Sequence, residues 1–393
     1  MKNRVLVTGI GLVTPLRPFA GAEAFWDAVC SGEDAVRWMP PPLIDAGRKW
    51  LMAGIDITGR SEHVCSEDKI LFIAEEALRM AVKDARLPED RKSGLSVGTV
   101  LGNILFKEKR LMEGNPHKTK NSFSGESLSN INSFLAKTFN IKGGCITIST
   151  ACASGTDAIG IAARKISSGE ENVIVAGGAD VLSDFAVMGF HSLHALTEEK
   201  VRPFDKNRSG LALGEGAAFM VLESEKHAAQ RDAKIYGRIM GYASRADANH
   251  LTAPHRDGRG LVAAMSQAIS EAGIKPAEID YINAHGTGTI YNDRMETLAI
   301  KKVFGDAAYS VPVSSTKSML GHSFGAAGAI ETICCLLSIN HKKIHPTINY
   351  TERDPECDLD YVPDIARRSN VNTAMSLSAG FGGQNSVIIT GGI

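Results

Sequence analysis

Apolar and polar positions in this chain switch repeatedly between a period of two and a period near four. At residues 145–149 apolar and small polar residues alternate in the manner of a buried strand. Just beyond it Ile159, Ala162, Ala163 and Ile166 recur at i, i+3, i+4 and i+7, the spacing of one helical face. Residues 5–16 predict an opening strand, although Lys2 and Arg4 ahead of it imitate the start of a signal peptide. That run is short, is broken by Gly9, Gly11 and Pro15, and lacks a convincing cleavage site. Residues 173–176 read as a strand ending in a turn at Gly177-Gly178, residues 217–222 as another, and 279–283 as a third leading into a glycine-rich loop. Residues 326–337 are nearly all small or apolar, which predicts a helix buried on most sides and puts Cys334 and Cys335 in the core. Strand and helix patterns alternate with no Pro- or Ser-rich linker, which argues for an α/β architecture.

Two windows echo each other. Residues 145–155 run strand, turn, Cys152, then Gly155 and a helix of small residues; residues 311–325 run strand, loop, His322, then Gly325 and another such helix. In each, the functional side chain precedes a glycine by three positions, which predicts two similar halves. Cys152 thereby falls on a tight strand-to-helix turn where small neighbours let its sulfur project. A free thiol ionises at a pH of about 8.5 and is only a few per cent thiolate at neutrality. A helix N-terminus favours negative charge, so the placement is expected to lower that pKa and activate the sulfur. Free cysteine is also among the most buried residue types, and this pattern alone does not separate a nucleophile from a packing residue.

Composition narrows the classes. The 393 residues are 44% hydrophobic and 22% charged with a net charge of −1, long enough for a large core or two fused domains. The balance offers no electrostatic footprint for nucleic acid. Cys30, Cys65, Cys145, Cys152, Cys334, Cys335 and Cys357 contain no CxxC pair, which fits neither a disulfide framework nor a zinc site and predicts a reducing, cytoplasmic compartment. No segment approaches the ~20 apolar residues of a membrane span. Val5-Leu6-Val7-Thr8-Gly9-Ile10-Gly11 imitates a dinucleotide-binding turn, but Thr14 stands where a third glycine is needed.

Three further motifs carry chemistry: His285-Gly286-Thr287-Gly288-Thr289 with Asp293 and Glu296 following, Ser314-Ser315-Thr316-Lys317-Ser318-Met319-Leu320-Gly321-His322, and Gly380-Phe381-Gly382-Gly383-Gln384-Asn385. With Cys152, and with Arg202-Pro203-Phe204-Asp205-Lys206 and Leu213-Gly214-Glu215-Gly216, the chain resembles the β-ketoacyl-acyl carrier protein synthases, condensing enzymes of the thiolase-like superfamily, and most of all the type II elongating synthases. The resemblance implies a thiolase-like α/β fold, two similar halves in an αβαβα arrangement, with residues 1–238 carrying Cys152 and residues 239–393 carrying the two histidines. It implies that Cys152 holds an acyl chain as a thioester, that His285 and His322 donate to the enolate oxygen formed when a malonyl thioester loses carbon dioxide, and that Lys317 supports them. Phe381 is the expected gating aromatic, its N–H and that of Cys152 the expected oxyanion hole. Thr287, Thr289 and Gly382 are expected at the substrate, Phe106 and Phe123 along the acyl pocket, and Asn283, Glu331 and Ser376 around a structural cation. No cofactor of the protein's own is implied, because the substrate arrives on the phosphopantetheine of an acyl carrier protein. A dimer is implied, with residues 101–135 at its interface.

The chain departs from the family in three places. It is shorter than typical elongating synthases, partly at residues 197–201. Ser61-Glu62-His63-Val64-Cys65-Ser66-Glu67-Asp68 stands where relatives carry a basic docking cluster; Lys118 and Arg202 match a second basic patch, and His117 replaces a frequent arginine, with Lys107, Lys109, Arg110 and Lys120 as candidate substitutes. Gln384 follows the gate where threonine is usual. The nucleophile excludes a non-catalytic chain-length factor but leaves the catalytic subunit of a heterodimer with one. Cys357, in Glu356-Cys357-Asp358, lacks the setting of a degradative thiolase's second cysteine, and His322 replaces the asparagine of initiating synthases.

Overall fold

The computed structural model describes residues 3–44, 47–60, 68–88, 92–114 and 127–393. Its main sheet has ten strands: β1 (Val5–Val13), β2 (Gly94–Gly98), β3 (Cys145–Ile148), β4 (Val173–Asp180), β5 (Gly216–Ser224), β6 (Gly237–Ala246), β7 (Tyr281–Asn283), β8 (Val313–Ser314), β9 (Thr373–Gly380) and β10 (Gln384–Gly391). The spatial order is β8-β7-β9-β10-β6-β1-β5-β4-β2-β3. The first five strands thus lie in the order 3-2-4-5-1, and so do the second five. Directions repeat as well: β2 is parallel to β3 and β4, as β7 is to β8 and β9, while the remaining pairs are antiparallel. The two sets join where β1 pairs antiparallel with β6, Val5 opposite Ile239.

Helices form three layers around these strands. Helix α2 (Lys69–Ala85) covers one outer face, burying Ile70, Ile73, Ala74, Ala77, Leu78 and Ala81 against β1, β4 and β5. Helices α4 (Arg259–Ala272) and α5 (Ile290–Phe304) cover the other outer face. Between the strand sets lie α3 (Ser154–Ser168) and α6 (Ala327–His341), packed on each other. The sequence expectation of an all-round apolar helix is met by α6, buried on every side from Ala327 to Ile339 with Cys334 and Cys335 at zero exposure. The stretch Phe324–His341, at 18 residues, is long and apolar enough to cross a membrane, contrary to the reading that no segment comes near; it is 89% buried within the protein. A smaller helix, α1 (Ala22–Ser31), flanks the central layer.

Small residues set the spacing of the layers. A Cβ on Gly155 would stand 2.5 Å from the carbonyl oxygen of Gly325, so the two echoing glycines are where the halves touch. Gly9 and Gly11 are needed for a similar reason: a Cβ on either would meet the α2 backbone at 2.4 or 2.2 Å, which explains the apparent dinucleotide motif as close helix–strand packing.

Two local expectations change. β4 does not turn at Gly177-Gly178 but runs on to Asp180, the glycines being required because a Cβ at Gly177 would lie 1.9 Å from the oxygen of Ala218. β3 is not a buried strand; among the described residues it is one of the sheet's two edges, with Cys145 exposed and the rest half-buried.

Candidate active site

The turn that carries Cys152 is built by its own side chains. After β3 the chain makes a left-handed step at Ala151, φ 50°, and α3 begins at Ser154. Ser154 Oγ accepts from Thr150 N–H at 2.9 Å and donates to the Ala151 carbonyl at 2.6 Å. Thr150 is anchored below by Asp157, at 2.6 Å, which also accepts from Tyr242 of the second half at 2.9 Å. Cys152 is thus fixed at the head of α3 with 7% exposure. Gly380 approaches so closely that a Cβ there would lie 3.0 Å from Cys152 N, and the N–H groups of Phe381 and Cys152 both face the sulfur.

The expected activation of this thiol is reversed in the resting structure. Burial pushes the Cys152 pKa up from 9.0 to about 11, outweighing the favourable charge of Lys317 and the two amides. The helix terminus is present, but desolvation of the sulfur dominates.

His285 follows β7 on a loop clamped by an acid. Glu296, on α5, accepts the main-chain N–H groups of His285 and Gly286 at 2.6 and 2.8 Å, and Asp293 accepts those of Phe204 and Gly288 at 2.7 and 3.3 Å. Gly286 and Gly288 take positive φ, 38° and 81°, which makes this tight loop passable. His322 comes from the other echo motif. Gly321, φ 66°, precedes it as Ala151 precedes Cys152, and the His322 N–H donates to the Ala212 carbonyl at 2.7 Å.

These three side chains meet. Cys152 Sγ and a ring nitrogen from each histidine lie within 4.8 Å of one another, all buried, with the imidazole centroids 5.2 Å apart and nearly perpendicular. Burial and the neighbouring Lys317 push both histidines well below their usual pKa, so both rings are neutral at physiological pH. Lys317 is itself buried and ion-paired to Glu331, whose carboxyl is raised by burial and drawn back by that partner.

A Cys-His-His cluster could ligate zinc, but a zinc-bound histidine is normally oriented by a hydrogen bond on its second nitrogen. Nδ1 of His285 and both nitrogens of His322 are buried without a partner among the described residues. Unpaired donors converging on a thiol suit a transient oxyanion better than a resident metal. The oxygen-bearing trio behaves differently. Asn283 Oδ1, Glu331 Oε2 and Ser376 Oγ are each buried and unpartnered, and Asn283 and Ser376 are register neighbours on β7 and β9. Such an all-oxygen set fits a hard monovalent or divalent cation.

A cavity of about 300 Å³ opens from the cluster and is lined by Thr287, Thr289, Tyr291, Phe190 and Phe381 among others. The Phe381 ring stacks on Phe190 at 5.3 Å. Gly382, φ 80°, donates its N–H to Leu251 at 2.7 Å but does not line this cavity, and neither does the half-buried Phe106, whose ring lies under Arg110. Arg202 is half-buried, 3.7 Å from Glu199. Phe123, Lys118, His117, Lys120 and residues 61–67 lie outside the described residues.

Two contributors escaped the sequence reading. Asp180 at the end of β4 accepts from Thr99 Oγ1 at 2.9 Å and from the N–H groups of Val100, Leu101 and Gly325 at 2.8, 2.9 and 2.7 Å, tying the halves together behind the site. Burial raises it to about 6 despite those bonds. Its signal was a lone acid closing an apolar strand. Phe190, stacked on Phe381, had no sequence signal.

Paired strand sets of 3-2-4-5-1 order, with a buried cysteine and a neutral histidine ahead of their two central helices and a second neutral histidine on the loop after β7, define a thiolase-like condensing enzyme. The chain belongs to the β-ketoacyl synthase family: residues 58–228 match the model of the β-ketoacyl synthase N-terminal domain, and residues 236–351 that of the C-terminal domain. It is 37% identical to the 3-oxoacyl-[acyl-carrier-protein] synthase 2 of Coxiella burnetii, covering 99% of this chain and 98% of that protein. Among solved structures, a type II polyketide ketosynthase in complex with its acyl-carrier protein superposes with a TM-score of 0.93 at 34% identity, and the ishigamide ketosynthase/chain length factor with 0.91 at 36%; each match covers all of both chains.

Proposed function

We propose that this protein condenses an acyl chain with malonyl-acyl carrier protein to give 3-oxoacyl-acyl carrier protein, in fatty acid or related polyketide or polyene synthesis. The observation that carries the reading is the convergence of Cys152 Sγ with two buried neutral imidazoles within 4.8 Å. In the loading step Cys152 attacks the acyl thioester borne on the carrier's phosphopantetheine. The N–H groups of Cys152 and Phe381 receive the tetrahedral oxyanion, and the thiol proton leaves on the carrier's sulfur by way of a neutral imidazole. Malonyl thioester then loses carbon dioxide, and His285 and His322 donate to the enolate oxygen. The enolate carbon attacks the Cys152 thioester, the carbon–sulfur bond breaks, and the released thiolate takes up one proton from solvent. Burial, and after it the charge of Lys317, keeps both histidines neutral; Asn283, Glu331 and Ser376 would hold a cation, which would supply fixed positive charge there.

Thr287 and Thr289 line the path of the pantetheine arm, with Gly382 beside the gate; Arg202 and Lys118 serve carrier docking, and Phe106 and Phe123 limit the acyl chain. The halves divide as residues 1–238 and 239–393, and the protein works in the cytoplasm as a dimer. The edge strand β3, unpaired on its outer side among the described residues, and the exposed Leu111 and Met112 of the helix Ile104–Met112 support a second subunit packed on this protein. That subunit is a second copy or a chain-length-factor-like partner. Intact-protein mass spectrometry with acyl-carrier and then malonyl-carrier protein tests the reading. An acyl adduct on Cys152 that discharges as an elongated ketoacyl product is expected; turnover with no such adduct in its course would refute it.

A further inference from the structure

A second cavity among the described residues is larger than the one at the thiol. It measures about 660 Å³, within the range of small-molecule sites, and lies where α6 ends at His341 and α1 passes beneath. Glu331, which pairs with Lys317 at the active site, is ten residues back along α6, about 15 Å at the helical rise. The cavity therefore belongs to a separate place in the fold.

Its charge is one-sided. Lys342, Lys343 and Arg368 line it against a single acid, Asp27, in a chain whose net charge is −1. Lys342 is used by the fold itself, since it caps α6 at φ 49° and its ammonium donates to the Val371 carbonyl and to Asn372 at 2.6 and 2.9 Å. Lys343 and Arg368 have no such use. They sit directly opposite each other in the two-stranded antiparallel ladder Lys343–Ile344 with Arg367–Arg368. Like charges facing across such a pair are destabilising, and neither side chain has a hydrogen-bond or ion-pair partner among the described residues. Arg367, next along, shows the ordinary solution, since it is held by Asp360. Ser369 and Asn370 also line the cavity, beside a flat wall made by His341 stacked on Trp26 at 5.9 Å. His341 itself is 3.2 Å from Glu23, which leaves its ring fixed.

We propose that this cavity binds a small organic phosphate, its phosphate oxygens between Lys343 and Arg368 and its body against the His341–Trp26 wall. An arginine fork and a lysine point charge together match a phosphate's several oxygens, which a single carboxylate would not satisfy. Binding would remove the like-charge conflict of the ladder.

The test uses the full chain, titrated calorimetrically with inorganic pyrophosphate and with a nucleoside diphosphate at low salt. Saturable one-to-one binding is expected, weakened at least about tenfold by Lys343→Gln or by Arg368→Gln and left unchanged by Lys226→Gln on a distant exposed surface. Lys343 is half-buried and Arg368 exposed, and either variant removes one of two facing like charges, so melting temperatures should stay at or slightly above the parent value. Tighter binding of the nucleotide than of pyrophosphate assigns the flat wall to the ligand's body. Absence of saturable binding by both probes, equal affinity for both, or weakening by Lys226→Gln as large as by the two ladder variants, overturns the proposal.

Discussion

The resting protonation of Cys152 can be tested directly, because the structure reverses what its position at a helix start suggests. Burial moves its ionisation from 9.0 to about 11. At 1.36 kcal/mol for each tenfold step, that withholds roughly 3 kcal/mol from the thiolate and leaves only about one molecule in 10⁴ ionised at pH 7. Only the thiolate alkylates. The rate of carbamidomethylation at Cys152, read by peptide mass spectrometry after brief exposure to iodoacetamide, should therefore rise about tenfold per pH unit from 7 to 10. An ordinary exposed thiol would level off near pH 9. Lys317→Met should lower the rate further at every pH, since that ammonium is the largest favourable influence on the sulfur. Cys152→Ser supplies the background from other sites, Cys145 being exposed. A rate already at its plateau below pH 8 would refute the reasoning, because the thiolate would then be preformed and the two amides and Lys317 would outweigh burial.

Three other outcomes follow from named contacts. Cys152→Ala should abolish covalent acylation, while His322→Ala should suppress malonyl decarboxylation more than loading; equal loss of both steps in isotope-release and mass assays would make His322 a structural support. Gly155→Ala places a methyl 2.5 Å from the Gly325 carbonyl and should destabilise the fold by roughly 1–3 kcal/mol in urea melts, whereas an unchanged midpoint would mean the central helices are not in contact as described. His345, buried among Tyr281, Asn283 and Ser314, is pushed down to about 4. The unfolded chain takes up this proton below about pH 6.5 and the folded chain does not, so the stabilising contribution is full above 6.5 and is lost as pH falls towards 4, by up to about 1.4 kcal/mol per unit. His345→Asn should show a correspondingly shallower acid loss than the parent, and parallel curves for the two proteins would contradict this.

Much of the site was legible because its parts are local. The turn at Cys152, the glycines of residues 285–289 and the loop around Phe381 each announce themselves within a few residues, and their order along the chain points to one family. The repeat of strand, functional side chain and glycine was legible for the same reason: Gly155 must be bare against the Gly325 carbonyl, and Gly325 against Asp180 and Thr99. Reading the glycines as turns failed at Gly177-Gly178, because a glycine demanded by a neighbouring strand looks the same in sequence as one demanded by a bend.

What the sequence determined by itself was the set of candidate reacting groups and the two-part alternation that carries them, since both rest on short-range spacing. Tertiary structure alone decided their protonation and their company. Cys152 and the histidines are neutral because of residues packed around them from both halves, and the acids Asp180 and Glu296 work through backbone amides up to 145 positions away. The edge position of β3 and the facing cations of Lys343 and Arg368 were equally invisible, because sheet order and strand register are properties of the assembled fold and leave no periodic trace in the chain.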